Sequence, residues 1–166
     1  MRNIISILFV VVTSVVIARF CFANEVIPHP KTVTVSALVN GSNDRKNGWE
    51  NGVKVSLQPG VWQIKAIGGG WSCWGNDKYA SPDVKGPWAW NVYIKRTDEE
   101  RTFCYGECSD WWKFDSQKEA SAYASQNIEP IAITVKKPGD LYFWIFDAGN
   151  INDNRGNVIL EISRKE

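Results

Sequence analysis

The segment FDAGNINDNRGNV, residues 146–158, concentrates oxygen-bearing side chains near the C terminus. A stretch of eight residues within it holds two aspartates and three asparagines, which are Asp147, Asn150, Asn152, Asp153 and Asn154. Hard cations such as calcium take roughly six to eight oxygen ligands from carboxylates, amides and backbone carbonyls, and this segment can supply about four of them. Its composition therefore indicates either a calcium site or an Asx-rich turn that holds no metal.

The spacing of this segment does not match an EF-hand loop. When the loop is counted from Asn150, a glycine is required at the sixth position and a helix must follow the loop. The glycine here is Gly156, one residue too late, and the strand-like run NVILEI follows it. A calcium site in this segment must therefore be of another type.

Residues that commonly carry catalysis are sparse. The single histidine, His29, lies between Pro28 and Pro30, where a flexible N-terminal arm is typical. A Ser-His-Asp or Cys-His arrangement would depend on that residue. The pair Glu99-Glu100 lies in the charged turn TDEER and is more simply explained as solvated surface. We therefore predict that the protein is not an enzyme.

The chain contains nine tryptophans, far above ordinary usage, and all lie after residue 23. Trp62 occupies an inward position of an alternating run and Trp144 the middle of an apolar run, so both are predicted to be core residues. Five others lie in or beside loops rich in Gly, Pro or Asp: Trp71, Trp74, Trp88, Trp111 and Trp112. Those five either stack on a ligand or partner, or cap the ends of the fold.

Residues 1–23 are predicted to form a cleaved signal peptide, with Arg2 ahead of an apolar run and a cleavage site after Ala23. The run is shorter than the roughly 20 residues that a membrane-spanning helix needs. The remaining domain, 24–166, is then secreted or periplasmic. Without Arg2 and Arg19 it keeps 17 of the 19 basic residues against all 18 acidic ones, a net charge of −1. That balance does not favour a nucleic-acid partner or an anionic membrane surface.

Three cysteines remain after cleavage: Cys73, Cys104 and Cys108. In an oxidising compartment, one disulfide bond and one free thiol is the simplest arrangement. Pairing of Cys73 with either of the other two is as compatible with the sequence as a tight loop between Cys104 and Cys108. A zinc site is disfavoured because no histidine lies near and the ligands are too few.

Apolar and β-branched runs recur along the domain and are separated by turn residues. Several alternate with period two, as in VKVSL at 53–57, so that one face of each strand is buried and the other is wet. Pro-Gly at 59–60 and 138–139 and the triple glycine at 68–70 indicate chain reversals. The pattern predicts a single all-β domain, an antiparallel β-sandwich of jelly-roll type. One short helix is predicted at 116–126, where a capping box precedes good helix formers.

Three segments together resemble the calcium-dependent galactophilic lectins of bacteria, the LecA type, and the related galactose-binding-like β-sandwich modules. They are WENGVKVSLQPGVWQIKAIGGGW at 49–71, WSCWG at 71–75 and LYFWIFDAGNINDNRGNVILEI at 141–162. The resemblance extends over nearly the whole domain. It implies a small jelly-roll sandwich, in agreement with the strand pattern, and calcium as the cofactor.

The resemblance also implies a set of calcium ligands. In that family the ion is held by an Asp after the penultimate strand, a mid-loop carbonyl, two side chains at the end of the loop, and a carbonyl of an aromatic loop. The corresponding residues here are Asp147, the backbone of Asn150 or Ile151, the side chains of Asp153 and Asn154, and the backbone of Trp74. An added carboxylate at 153, where the family has an amide, should strengthen calcium binding.

In these lectins the ion coordinates two sugar hydroxyls, and a neighbouring loop sets the specificity. The family's His-Pro-Asp-Gln corresponds here to residues 81–84, Ser-Pro-Asp-Val, which lack two of the polar side chains. A galactose-like sugar is therefore less strongly implied than carbohydrate in general. The ligand-binding residues that the resemblance implies are Trp74, Pro82, Asp83, Asp147 and Asp153.

The sequence thus predicts an exported, calcium-dependent carbohydrate-binding protein without catalysis. A module of the same fold that binds a protein partner or has a structural role is the alternative, with calcium only stabilising a loop or absent. Either form is compatible with a homo-oligomer.

Overall fold

The structure is a computed structural model that describes residues 30–75, 86–98, 102–109 and 113–165. The predicted signal peptide and His29 lie outside these ranges, as do Glu99, Glu100, Trp111 and Trp112. Nine strands are described: β1 (Lys31–Ser36), β2 (Gly41–Ser42), β3 (Val53–Leu57), β4 (Gly60–Ser72), β5 (Asn91–Arg96), β6 (Thr102–Gly106), β7 (Ile131–Val135), β8 (Gly139–Phe146) and β9 (Arg155–Arg164). One α-helix, α1 (Gln117–Asn127), and 3-10 helices at Gly48–Asn51 and Ile151–Asp153 complete the described elements.

The strands form two sheets. The first has the order β1-β9-β4-β7, and each neighbouring pair is antiparallel. The second has the order β2-β8-β5-β6, with β3 also paired to β8. Within the described ranges, the short β2–β8 pair is the parallel exception. The predicted all-β sandwich with one short helix is therefore confirmed.

The core fills the space between the sheets with the inward-facing side chains of both. Ile64, Phe143 and Leu160 are fully buried there, each from a different strand. Burial of an aliphatic or aromatic side chain of this size stabilises the fold by about 1.5–3 kcal/mol relative to exposure. Trp62 is buried in this core, as the sequence predicts.

Three other tryptophans, Trp71, Trp88 and Trp144, are buried, and the sequence pattern did not specify where each of them packs. Trp71 is completely buried and Trp88 is 8% exposed, so both belong to the packed interior and neither offers a ring face for stacking. Trp71 is part of β4 and pairs with Ala89. Trp144 is also buried, but on the outer side of the second sheet, where it packs against Tyr93.

The triple glycine at 68–70 is not a chain reversal, which corrects the prediction. It lies inside β4, where the register shifts between Ala66 and Gly68. Helix α1 packs against this part of the strand: an added Cβ on Gly70 would be 2.7 Å from the Ala120 Cβ. The Gly69 N–H donates to Ser121 Oγ at 2.9 Å. The glycines therefore make room for the helix rather than turning the chain.

The helix begins where the capping box predicts. Ser116 is the N-cap, and its Oγ accepts a hydrogen bond from the Glu119 N–H at 3.2 Å. Such a cap contributes about 1 kcal/mol to helix stability. Ala120 and Ala124 form the buried face of the helix. No helix among the described residues is long and apolar enough to span a membrane.

The disulfide bond joins Cys104 to Cys108. Of the three pairings that the sequence allows, this is the tight loop at the end of β6. Within the described part of the chain, Cys73 is the free thiol. One disulfide bond with one free cysteine is thus confirmed.

Gly69 provides a test of the β4–β9 packing. Its φ is +80°, and an added Cβ would lie 2.3 Å from the Asn157 carbonyl oxygen. Gly69→Ala should therefore lower the free energy of unfolding by at least about 2 kcal/mol, measured by urea denaturation. Gly75→Ala is the matched control, because its added Cβ would come no closer than 3.7 Å to its neighbours. Equal stability of the two variants would contradict the described packing.

Candidate functional site at the end of strand β8

Two strand ends and a short helical turn meet at one rim of the sandwich. Strand β8 ends at Phe146, and the next residue, Asp147, donates its N–H to the Ser42 carbonyl at 3.0 Å. Strand β9 begins at Arg155, which pairs with Ser72 at the end of β4. The rim site is defined here as residues 72–75 together with 147–155.

The floor of the rim site contains two buried oxygens that lack hydrogen-bond partners. Asp147 is 7% exposed and Asn154 is 4% exposed. Asp147 Oδ1 accepts the Gly149 N–H at 2.9 Å, and Asn154 Nδ2 donates to the Ala37 carbonyl at 3.4 Å. Asp147 Oδ2 and Asn154 Oδ1 have no partner. A buried acceptor in that condition costs about 1–3 kcal/mol, so both oxygens call for a donor or a cation.

The electrostatics of the rim site also favour a cation. Burial raises the pKa of Asp147 and the charge of Asp153 raises it further, whereas the hydrogen bond from the Gly149 N–H and the nearby Asn154 amide lower it. Asp153 is exposed and lies on the solvent side of the floor. Two neighbouring carboxylates repel each other unless a positive charge is placed between them.

Cys73 lies close to these two carboxylates. Burial, followed by the charges of Asp147 and Asp153, raises the pKa of the Cys73 thiol to about 12. The thiol therefore stays protonated at neutral pH and is a weak nucleophile. This favours binding over cysteine-based catalysis at the rim site.

The middle of the loop forms a compact turn. Asn150 Oδ1 accepts hydrogen bonds from Asn152 N–H at 3.2 Å and from Asn152 Nδ2 at 3.1 Å. The carbonyls of Asn150 and Ile151 accept the N–H groups of Asp153 and Asn154 at 3.5 and 3.3 Å. Asn152 thus serves the turn, whereas each carbonyl of Asn150 and Ile151 keeps one lone pair free for another contact.

The Trp74 carbonyl already has a cationic partner. It accepts a hydrogen bond from Arg155 Nε at 2.8 Å. The same guanidinium lies 4.6 Å from the centre of the Trp88 ring. A second cation at this oxygen would be repelled by the guanidinium. Trp74 O is therefore the least suitable of the predicted calcium ligands while Arg155 holds this position.

Sequence reasoning did not identify Arg155 or Cys73 as part of the rim site. Arg155 directly follows Asp153 and Asn154 in sequence, and this adjacency of opposite charges was the available signal. Pro82 and Asp83, the predicted ligand-binding residues of the specificity loop, lie outside the described residues. Gly75, the last described residue before them, lies beside the rim loop: an added Cβ there would be 3.7 Å from the Asp153 Cβ.

The donor set of the rim site fits a hard divalent cation. Asp147, Asp153 and Asn154 present carboxylate and amide oxygens, the ligands that calcium prefers. Among the described residues, no three His, Cys, Asp or Glu side chains form a metal-binding group. A cation here would thus be held by two carboxylates, one amide, and backbone or water oxygens.

Comparisons of the chain with protein-family models, with curated proteins and with solved structures find no match.

Asp147 should oppose folding when no cation is bound. Because its folded-state pKa is raised above the ordinary 3.8, the folded state binds its proton more tightly than the unfolded state does. Stability is then lost as pH rises from that ordinary value through the raised one. In a chelating buffer at pH 7, Asp147→Asn should raise the Tm by a few degrees, and the gain should shrink toward pH 4.

Thermal denaturation across this pH range measures the effect. The control is Asp153→Asn, an exposed residue of the same loop, which should change the Tm less. An Asp147→Asn variant that is less stable than the native protein at pH 7 in chelator would show that the carboxylate has a stabilising partner within the fold.

Proposed function

We propose that the protein is an exported, non-catalytic module that binds carbohydrate through a calcium ion held by Asp147, Asp153 and Asn154. One observation carries this proposal: two buried oxygens without hydrogen-bond partners lie in the same loop as an exposed carboxylate, whose charge acts on Asp147. Buried polar atoms are normally satisfied, and among the described side chains these two are the unpartnered oxygens that share a loop with a second carboxylate. A cation supplied from solution would satisfy both oxygens together.

The rim site has a buried floor, Asp147 and Asn154, and an exposed lip, Asp153, and this arrangement suits recognition of a polyol. Asp147 and Asn154 are buried and would hold the inner side of the ion, whereas Asp153 faces solvent. When bound, the ion supplies open coordination positions that vicinal hydroxyls of a sugar can take in place of water. The half-buried Trp74 lies beside the lip and offers an apolar surface for the carbon face of a sugar ring.

Two further features support a role outside the cytoplasm. The N-terminal 23 residues have the pattern of a signal peptide. The Cys104–Cys108 disulfide bond suits an oxidising compartment. Both features agree with a secreted or periplasmic carbohydrate-binding protein.

The alternative is a protein-binding or structural module in which calcium only stabilises the loop. The deep burial of Asp147 and Asn154 favours it, because an ion enclosed by the floor would leave less coordination for a ligand. Under this alternative, calcium binds but sugars do not. Tests of calcium binding and of sugar binding therefore have to be kept separate.

Calcium should stabilise the folded protein. At about 100 times its dissociation constant it should add about 2.7 kcal/mol to the free energy of unfolding, or roughly 5–10 °C to the Tm. Differential scanning calorimetry with calcium, and then with a chelator, measures the effect and its reversal. Asp147→Asn and Asp153→Asn should each abolish the shift.

Asp115→Asn is the matched control, since Asp115 is an exposed aspartate at the start of the helix, outside the rim site. It should keep the full calcium shift. Absence of a shift in the native protein at millimolar calcium would reject a calcium site at this rim.

Carbohydrate binding should follow the same residues. On an array of immobilised glycans, the native protein should bind in calcium and lose binding in chelator. Asp147→Asn should lose binding at any calcium concentration, because the buried floor no longer holds the ion. A blank array for a protein that shows the calcium shift would select the protein-binding or structural alternative.

A further inference from the structure

A groove lies on the outer face of the second sheet, away from the rim site. Its volume is about 230 Å³, and it is lined by Trp49, Lys95, Thr97 and Tyr142. Tyr142 lies in β8, five residues before Asp147, so the two residues are separated by roughly 17 Å along the extended chain. The groove is therefore separate from the residues proposed to hold calcium.

The strand pairing places the groove residues side by side. Tyr142 in β8 pairs directly with Lys95 in β5 and, on its other side, with Lys54 in β3. Alternate residues of β8, such as Leu141 and Phe143, point into the core. Tyr142 consequently faces outward, and two lysines flank its ring across the sheet.

Trp49 forms the other wall of the groove. It belongs to the 3-10 helix Gly48–Asn51, and its ring meets the Tyr142 ring edge-on with centroids 5.2 Å apart. Both rings are partly exposed. An aromatic pair that remains partly exposed on an outer sheet face suits the carbon face of a ring-shaped ligand.

Lys95 contacts an aromatic ring, whereas the cations with described ion pairs contact a carboxylate. Lys54, Arg96 and Lys113 each lie 2.8 Å from a carboxylate oxygen. Lys95 has no such partner among the described residues; its Nζ lies 4.3 Å from the centre of the Trp49 ring. The side chain is half-buried, so its ammonium is held in place and keeps its donors available for an anion.

Asp140, two residues before Tyr142 in β8, has partners other than Lys95. The Asp140 carboxylate contacts Lys54 Nζ at 2.8 Å and accepts a hydrogen bond from Ser56 Oγ at 2.6 Å. The Thr97 hydroxyl is also engaged, because its Oγ1 accepts a hydrogen bond from the Asp140 N–H at 3.1 Å. Among the described residues, the groove therefore presents one positive charge without an ion-pair partner beside two aromatic walls.

We propose that this groove binds a hexuronate, a six-membered sugar ring that carries a carboxylate. The carboxylate would accept charge-assisted hydrogen bonds from Lys95 Nζ, and the carbon face of the ring would pack against Tyr142 and Trp49. The volume is below the roughly 300–1,000 Å³ of sites for drug-sized ligands, which suits a single sugar residue. This site goes beyond the proposed function, because it needs no calcium and contains none of the rim residues.

The test is a titration of the protein with D-glucuronate and, in parallel, with the neutral matched sugar D-glucose. A chelator is present throughout, so that failure of the calcium proposal does not affect the result. Chemical shifts of the tryptophan indole N–H groups report the binding. Glucuronate should bind at least about fivefold more tightly than glucose, and only its affinity should weaken as salt rises from about 0.05 to 0.5 M.

Lys95→Gln should reduce glucuronate affinity about fivefold or more, to the level of glucose, with a change in Tm of no more than a few degrees from loss of the contact with Trp49. Lys65→Gln is the matched control, since Lys65 is an exposed lysine of β4 in the other sheet, and it should leave the affinity unchanged. Three results would overturn the proposal: no glucuronate binding up to about 10 mM, equal affinity for acid and neutral sugar, or unchanged affinity in Lys95→Gln.

Discussion

The antiparallel pairing of β4 with β9 is the constraint on which the other features depend. It runs from Trp62 opposite Arg164 to Ser72 opposite Arg155, across a register shift at the glycines. At the Trp62 end of this pair, buried side chains of both strands pack into the core. The other end places residues 72–75 beside the Asp147 loop, and the glycines between them receive the helix. Loss of this register would separate the two halves of the rim site.

The rim site shows a conflict between stability and function. The fold buries the Asp147 carboxylate near a second carboxylate and leaves one of its oxygens without a partner. Each of these conditions opposes folding, and the calcium ion that we propose at the rim site would offset both. This cost falls on the loop that carries the proposed calcium ligands.

The sequence predicted the parts of the fold that local patterns control. Alternation revealed β3 and the inward position of Trp62, and a capping box located the helix to within a residue. The prediction of a chain reversal at the triple glycine was wrong, because glycine is favoured in turns and also where a helix approaches a strand closely. Burial of Trp71 depends on its bridge to Ala89, a contact between segments distant in sequence. Local composition does not encode such a contact.

Composition singled out the five Asp and Asn residues of the C-terminal loop, and the family resemblance predicted Asp147, Asp153 and Asn154 among them as ligands, but neither separated the buried members from the exposed one. A crystal structure of the protein grown with calcium would test the proposed site. We expect one ion with Asp147 Oδ2, Asn154 Oδ1 and an Asp153 carboxylate oxygen within about 2.3–2.6 Å of it. A well-ordered loop without an ion, in which the two buried oxygens accept hydrogen bonds from protein groups or water, would contradict it.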